Sequence, residues 1–128
     1  MREIKFRAWN GKYMVNSAYG DWISFDGIPY TEADTRISRH IEIIRAKDYV
    51  VMQYTGLKDK NGKEIYESDV IKWGGETVPV FVIWSEKFAS FGLRRDGWMH
   101  THFFGEAVDH SDCEVIGNIW QNHELVSN

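Results

Sequence analysis

Hydrophobic and polar positions alternate along much of this chain. Ile4, Phe6 and Ala8 are separated by Lys5 and Arg7, the period of two expected of a β-strand with one buried face, because successive side chains of a strand point to opposite sides. Asn10-Gly11 then turns the chain back into Tyr13 to Val15. Further short apolar runs predict strands over Trp22 to Phe25, Tyr49 to Tyr54, Val70 to Trp73, Val78 to Trp84, Ser90 to Arg94 and Val115 to Ile119. Val, Ile and aromatic residues dominate these runs, and such side chains pack well on a pleated surface. The pairs Asn10-Gly11, Asp26-Gly27, Asn61-Gly62 and Asp96-Gly97 suit the positive φ angles of tight hairpin turns. The strands are therefore expected to be antiparallel.

One segment carries a second signal. Thr31-Glu32-Ala33-Asp34 has the form of a helix N-cap with acidic residues in the first turn, and Ile37, Ile41 and Ile44 follow at helical spacing. This predicts a short helix near 32–46. Ile37, Ile41 and Ile43 with the intervening Ser38, Arg39, His40 and Glu42 also fit alternation, and isoleucine is β-branched. Gln121 to Val126 is expected to form a further short helical turn. No internal repeat or low-complexity tract interrupts the pattern.

The expected fold is mainly β, a single compact domain over 1–128 with an N-terminal β unit of about 1–49 and an SH3-like, barrel-like portion of about 50–120. In that second portion, Asn61-Gly62 makes a turn and Glu67-Ser68-Asp69 feeds into Val70 to Trp73. A second strand leaves Gly74-Gly75, and a third carries Phe91 and Leu93 towards Asp96-Gly97. Small barrels of this kind serve binding more often than catalysis, by fold-level analogy.

Composition supports a folded, aromatic-rich chain. It has 128 residues, 43% hydrophobic and 27% charged, with only 2 prolines, a balance that disfavours disorder. Six Trp, 6 Tyr and 7 Phe either fill a β core or sit on an adhesive interface. Cys113 is the only cysteine, so no intramolecular disulfide forms, and the opening MREIKFRAW lacks the apolar run of about 7–15 residues that marks a signal peptide. A cytoplasmic location is expected. No stretch reaches the roughly 18 consecutive apolar residues of a membrane span, and the longest, Val78 to Trp84, contains Pro79. The net charge of −4 argues against a surface built throughout to neutralise phosphates, although a local basic patch is compatible with it.

Three blocks carry a family resemblance: the opening Arg2-Glu3-Ile4-Lys5-Phe6-Arg7-Ala8-Trp9, the central MQYTGLKDKNGKEIYESDVIKW from Met52 to Trp73, and the closing Glu114-Val115-Ile116-Gly117-Asn118-Ile119-Trp120. In this order, spanning nearly the whole chain, the blocks resemble the YopX-like proteins of phages and prophages, with Ala18 to Lys47 and Phe88 to Asp112 as variable filling. The resemblance implies a phage or prophage origin, and hence the cytoplasm of a bacterial host, together with a fold; it implies no activity. Where the family has Glu-Gly-Asp, this chain has Glu67-Ser68-Asp69, so a glycine turn is replaced.

Candidate chemistry is sparse. His100 and His102 are two apart, so on a strand they share a face, and His110 precedes Cys113 by three. That set matches no closed zinc spacing and reads as surface or structurally bonded histidines. Cys113 near His110 could be drawn as a nucleophile and base, but the simpler reading is a small buried hydrophobe. Asp59, Glu64, Glu67 and Asp69 fail the calcium-loop pattern, since the glycine comes two positions early, and read as a solvated turn plus a structural acidic cap. Gly74-Gly75 lacks the context of a phosphate-binding loop and reads as a hairpin turn. No catalytic, cofactor or metal residue is assigned.

For nucleic acid, Lys72, Arg94, Arg95 and Trp98 combine charge with aromatic surface beside Trp73, the pairing that stacks bases and tracks a backbone on small barrels. Against this, Trp73 reads as core and Arg94-Arg95 as a solvated hairpin end. The leading expectation is a non-catalytic interaction protein that binds a protein partner and self-associates as a homo-oligomer. A nucleic-acid-binding accessory module is the rival, and a small enzyme a distant third.

Overall fold

The computed structural model describes residues 3–12, 14–16, 21–23, 29–31, 42–43 and 50–126. The chain divides into two compact units, Ile4–Gln53, and Tyr54–Asn128 with Met1–Glu3. In the first unit, β1 (Phe6–Trp9) and β2 (Met14–Asn16) pair antiparallel, Ala8 opposite Val15. Their turn is the expected Asn10-Gly11: Gly11 has φ 99°, and Lys12 N donates to Asn10 Oδ1 at 2.8 Å. The other edge of β1 pairs with the start of β6 (Val50–Lys58), Phe6 opposite Gln53. Strands β3 (Asp21–Ile23), β4 (Pro29–Thr31) and β5 (Glu42–Ile43) form a separate antiparallel sheet. Of the helix expected near 32–46, only Glu42 and Ile43 are described, as β5; the rest of that span, like Asp26-Gly27, lies outside the described residues.

In the second unit, β6 continues to Lys58 and pairs with β7 (Glu64–Tyr66), Tyr54 opposite Tyr66 and Lys58 opposite Glu64. The register shifts between these pairs, at a bulge where Gly56 has φ 88°. A buried hydroxyl bridges the irregular backbone. Thr55 Oγ1 donates to Ile65 O at 2.8 Å and accepts from Leu57 N at 3.1 Å. Strands β8 (Asp69–Trp73), β9 (Val80–Ser85), β10 (Ser90–Arg94), β11 (His102–Phe103) and β12 (Cys113–Asn118) form one antiparallel sheet in the order β11-β10-β9-β8-β12. One face of it presents Ile71, Val80, Val82, Leu93 and Cys113, all at most 2% exposed, together with Phe91. Each such side chain contributes about 1.5–3 kcal/mol through the apolar surface it withdraws from water. The C-terminal turn expected after Gln121 is a 3₁₀ turn at His123–Leu125.

The expectation of a mainly β, antiparallel chain holds, but the sheets do not close into a barrel. Both outer strands satisfy their edges locally, which removes the drive to pair with each other. At one edge β11 is two residues long, and Phe103 O accepts from the amides of Glu106, Ala107 and Val108 at 3.3, 3.1 and 3.1 Å. At the other edge, Lys60 N donates to Cys113 O at 3.0 Å, and Val115 N donates to Asp59 Oδ2 at 2.9 Å.

The turn from β7 into β8 holds the substituted glycine position. Ser68 has φ 71°, a left-handed conformation that costs an L-residue about 1–2 kcal/mol. Its backbone is held on both sides, Ser68 N donating to Val82 O and Ile119 N donating to Ser68 O, each at 2.9 Å. Asp69, 2% exposed, accepts from Tyr66 N through Oδ2 at 2.8 Å. Ser68→Gly is expected to stabilise the protein by about 0.5–1 kcal/mol, less than the full relief because glycine frees the unfolded chain. Urea unfolding checks this, and an unchanged or lower midpoint would mean that the serine side chain offsets the strain.

Candidate functional site

Alternation along β10 places Phe91 and Leu93 in the core and Ser90, Gly92 and Arg94 on the opposite face. Gly92 pairs with Phe103 of β11. A Cβ built on Gly92 would lie 2.6 Å from Thr101 Cγ2 and 2.9 Å from His102 O, so only glycine lets residues 101–103 approach so closely. Phe103 then meets Phe88 edge-on, ring centroids 5.3 Å apart at 66°, a favourable aromatic geometry. Phe88, Thr101 and Phe103 line an open groove of ≈ 710 Å³ together with Lys87, Arg94 and Met99. Its apolar surface faces water: Phe88 is 60% exposed and Met99 86%.

Arg94 builds one side of the groove. It reaches across the loop that joins β10 to β11, donating from Nη2 to Trp98 O at 3.1 Å and from Nη1 to Thr101 Oγ1 at 3.4 Å. Both acceptors are neutral, so its charge has no carboxylate partner among the described residues. Lys87 Nζ lies 5.4 Å from the Phe88 ring centroid, and among the described residues Glu106 is the one acidic residue of the lining.

The four residues considered for nucleic acid do not assemble into one patch. Arg95 and Trp98 are together, the guanidinium 4.9 Å from the ring centroid, but Arg95 also pairs with Glu76 at 3.8 Å. Trp98 packs against Trp73 and His102, centroids 6.2 and 4.5 Å away, and leans on the core. Trp73 is half-buried against that core, as its apolar context implied. Arg94 is half-buried and bonded rather than a solvated hairpin end. Lys72 lines a different hollow with Gly74, Thr77 and Ile116.

The histidines and Cys113 are likewise dispersed. His102 sits between Trp73 and Trp98, its Nδ1 buried without a hydrogen-bond partner. His110 Nδ1 lies 2.6 Å from Lys58 O, and because a carbonyl only accepts, that nitrogen carries the proton. Among the described residues, no three His, Cys, Asp or Glu side chains converge as metal ligands. Cys113 is fully buried, its Sγ donating to Asp109 O at 3.6 Å. Burial, then the negative charges of Asp112, Asp109 and Asp59, push the thiol up to about 12. The neutral thiol is the form the fold favours, so Cys113 lowers stability as pH rises from about 9 towards 12. Iodoacetamide is expected to label it only after unfolding, by mass spectrometry in rising urea; rapid labelling of the native protein would contradict its burial.

The acidic cluster is structural. Asp59, read from sequence as part of a solvated turn, is only 7% exposed. Its Oδ1 accepts from Asn61 N and Lys63 N, both at 2.9 Å, while Oδ2 takes the amide of Val115 on β12. Burial acts to raise its pKa, but the three amides and the Lys63 charge together hold it below the usual carboxylate value. Asp109 is also lowered, by the hydroxyl and amide of Ser111.

Comparison with known proteins places this geometry. The family model described as YopX protein matches residues 5–127. The chain belongs to the YopX family. A crystal structure of YopX from Bacillus subtilis shares the fold, with a TM-score of 0.66, 20% identity, and coverage of 99% of this chain and 100% of that one. An Enterococcus faecalis protein of known crystal structure has a TM-score of 0.57 and 25% identity, over 99% of this chain and 100% of its own. A search of curated proteins finds no match. Among the described residues, no helix is long and apolar enough to cross a membrane.

The family match over residues 5–127 includes the groove, but the three blocks singled out in the sequence lie outside the groove. Asp59, Ser68, Asp69, Gly117 and Asn118 all lie in the blocks that carry the resemblance, and all are framework residues. Asn118, buried, accepts from Trp120 N and Gln121 N at 3.1 and 2.9 Å, and Gly117 packs against Asn122. Phe88, Arg94, Met99 and Phe103 lie between the central and closing blocks, and of these four the sequence singled out only Arg94, as a nucleic-acid candidate. The available signal was weak: Phe88, Met99 and Phe103 flank the Ser90–Arg94 run at spacings that carry no period of their own.

Proposed function

We propose that this member of the YopX family is a non-catalytic accessory protein of a phage or prophage that acts by docking a partner protein in the groove walled by the Phe88–Phe103 pair. The carrying observation is the exposure there of Phe88 and Met99, 60% and 86%, on a framework that holds the groove in place. Exposed aromatic and Met side chains beside a lone arginine are typical of interface centres. The burial and raised pKa of Cys113 speak against thiol catalysis.

The test is affinity capture from host cells with wild-type protein and the Phe88→Ser and Met99→Ser variants. Both positions are exposed, so the variants retain the core. A protein captured by the wild type and lost with both variants supports docking in the groove, and equal capture by all three overturns it. Self-association belongs to the same reading. Light scattering on a sizing column is expected to give a mass above the 15.0 kDa of one chain, and a clean 15.0 kDa peak removes that part. Nucleic-acid binding through Lys72, Arg94, Arg95 and Trp98 is the weaker reading, because those side chains are divided between separate hollows and internal contacts.

A further inference from the structure

The groove has a charge character opposite to that of the chain. Lys87 and Arg94 line it against one carboxylate, Glu106, on a protein of net charge −4. Arg94 matters most. The residue is half-buried, where removal from water penalises an unpaired charge, and the two acceptors its guanidinium reaches are a backbone carbonyl and a hydroxyl. A guanidinium presents five donors in a planar fork that fits a carboxylate bidentately. Beside it, Phe88 and Phe103 offer an apolar wall, and Lys87 stands at the rim on the Phe88 ring.

Resting on the docking reading above, we infer that the occupant is an acidic peptide segment of the partner protein, with an Asp or Glu carboxylate on Arg94 and neighbouring apolar side chains on the Phe88–Phe103 pair. A nucleic-acid strand fits the same surface less well. Tracking a phosphate backbone takes a row of cations, whereas here two cations face a carboxylate. The open edge of β11 adds little backbone pairing, since Phe103 O is already taken by its own turn, so side-chain chemistry must supply the selectivity.

The experiment is a fluorescence-anisotropy titration of the full chain with a short fluorescein-labelled peptide built from Glu, Phe and Leu. The same peptide with Lys for every Glu, and a mixed-sequence single-stranded DNA of similar length, are run beside it. Saturable binding of the acidic peptide alone is expected, weakening as salt rises. Lys87→Glu, at an exposed position, and Arg94→Gln are each expected to weaken it about tenfold. Arg94→Gln also loosens the loop it clamps, so Lys87→Glu, which leaves that loop intact, is the decisive variant.

Equal binding of the acidic and basic peptides, indifference to Lys87→Glu, tighter binding of the DNA, or no binding at all would each overturn the acidic-peptide assignment. The two levels separate cleanly. If the peptide fails while cellular capture still depends on Phe88, the docking surface stands and only its ligand chemistry falls; if capture is also independent of Phe88, both fall.

Discussion

Asp59→Ala is expected to cost the fold about 3 kcal/mol, the largest loss among the substitutions considered. One carboxylate accepts three backbone amides, Asn61 and Lys63 within its own turn and Val115 on β12, thereby fastening the β6–β7 hairpin to the edge of the five-stranded sheet. Hydrogen bonds to a charged acceptor are worth about 1.5–3 kcal/mol each, and three that share one side chain do not add fully. Asp59→Asn should lose much of the same stability, because its amide group presents a donor to backbone donors.

The pH dependence follows from the sign of the shift. The folded pKa lies below the ordinary aspartate value of 3.8, so the Asp59 contribution is present above that value and is lost as pH falls through the folded pKa. Urea unfolding near about pH 7 and about pH 3 should therefore show a gap between wild type and Asp59→Ala that narrows in acid. A gap independent of pH would mean that the carboxylate charge is not what holds the hairpin.

Gly92→Val should cost about 2–3 kcal/mol, as overpacking of a tight contact does, and should dismantle the groove. Any Cβ at this position lies 2.9 Å from a backbone oxygen of β11 and 3.1 Å from the Phe103 ring, so β11 must move away from β10. Phe103 would then leave Phe88. The check is double: a lower unfolding midpoint, and loss of acidic-peptide binding at temperatures where the variant is still folded. A variant that retains binding would show that β11 is not a wall of the groove.

Much of the frame was legible from sequence because it is local. Alternation at Ile4 to Ala8 and short apolar runs at Val70 to Trp73 and Ser90 to Arg94 predicted β1, β8 and β10, and Asn61-Gly62 and Asp96-Gly97 turn with Gly62 at φ 82° and Gly97 at φ 91°. Strands β4, β5, β7 and β11 are only two or three residues long, too short for a periodic signal to emerge. The reversal before β10 was equally silent, since Ala89 takes φ 48° without a glycine. Asp59 was visible as an acidic turn residue, but its bond to Val115 spans 56 positions, and no local pattern announces such a contact. The groove was missed for the same reason. Phe88 and Phe103 are brought together by the register of β10 and β11, not by spacing in the chain.

The central claim is that the groove walled by Phe88 and Phe103 takes an acidic segment of the partner protein. Amide chemical-shift mapping during titration with the Glu, Phe and Leu peptide tests it most directly. Shifts are predicted at Lys87 to Ser90, at Arg94 and from Met99 to Phe103, with the Asp59–Lys63 turn unmoved. Shifts confined to that turn or to the Lys72 hollow, or none at saturating peptide, would contradict it.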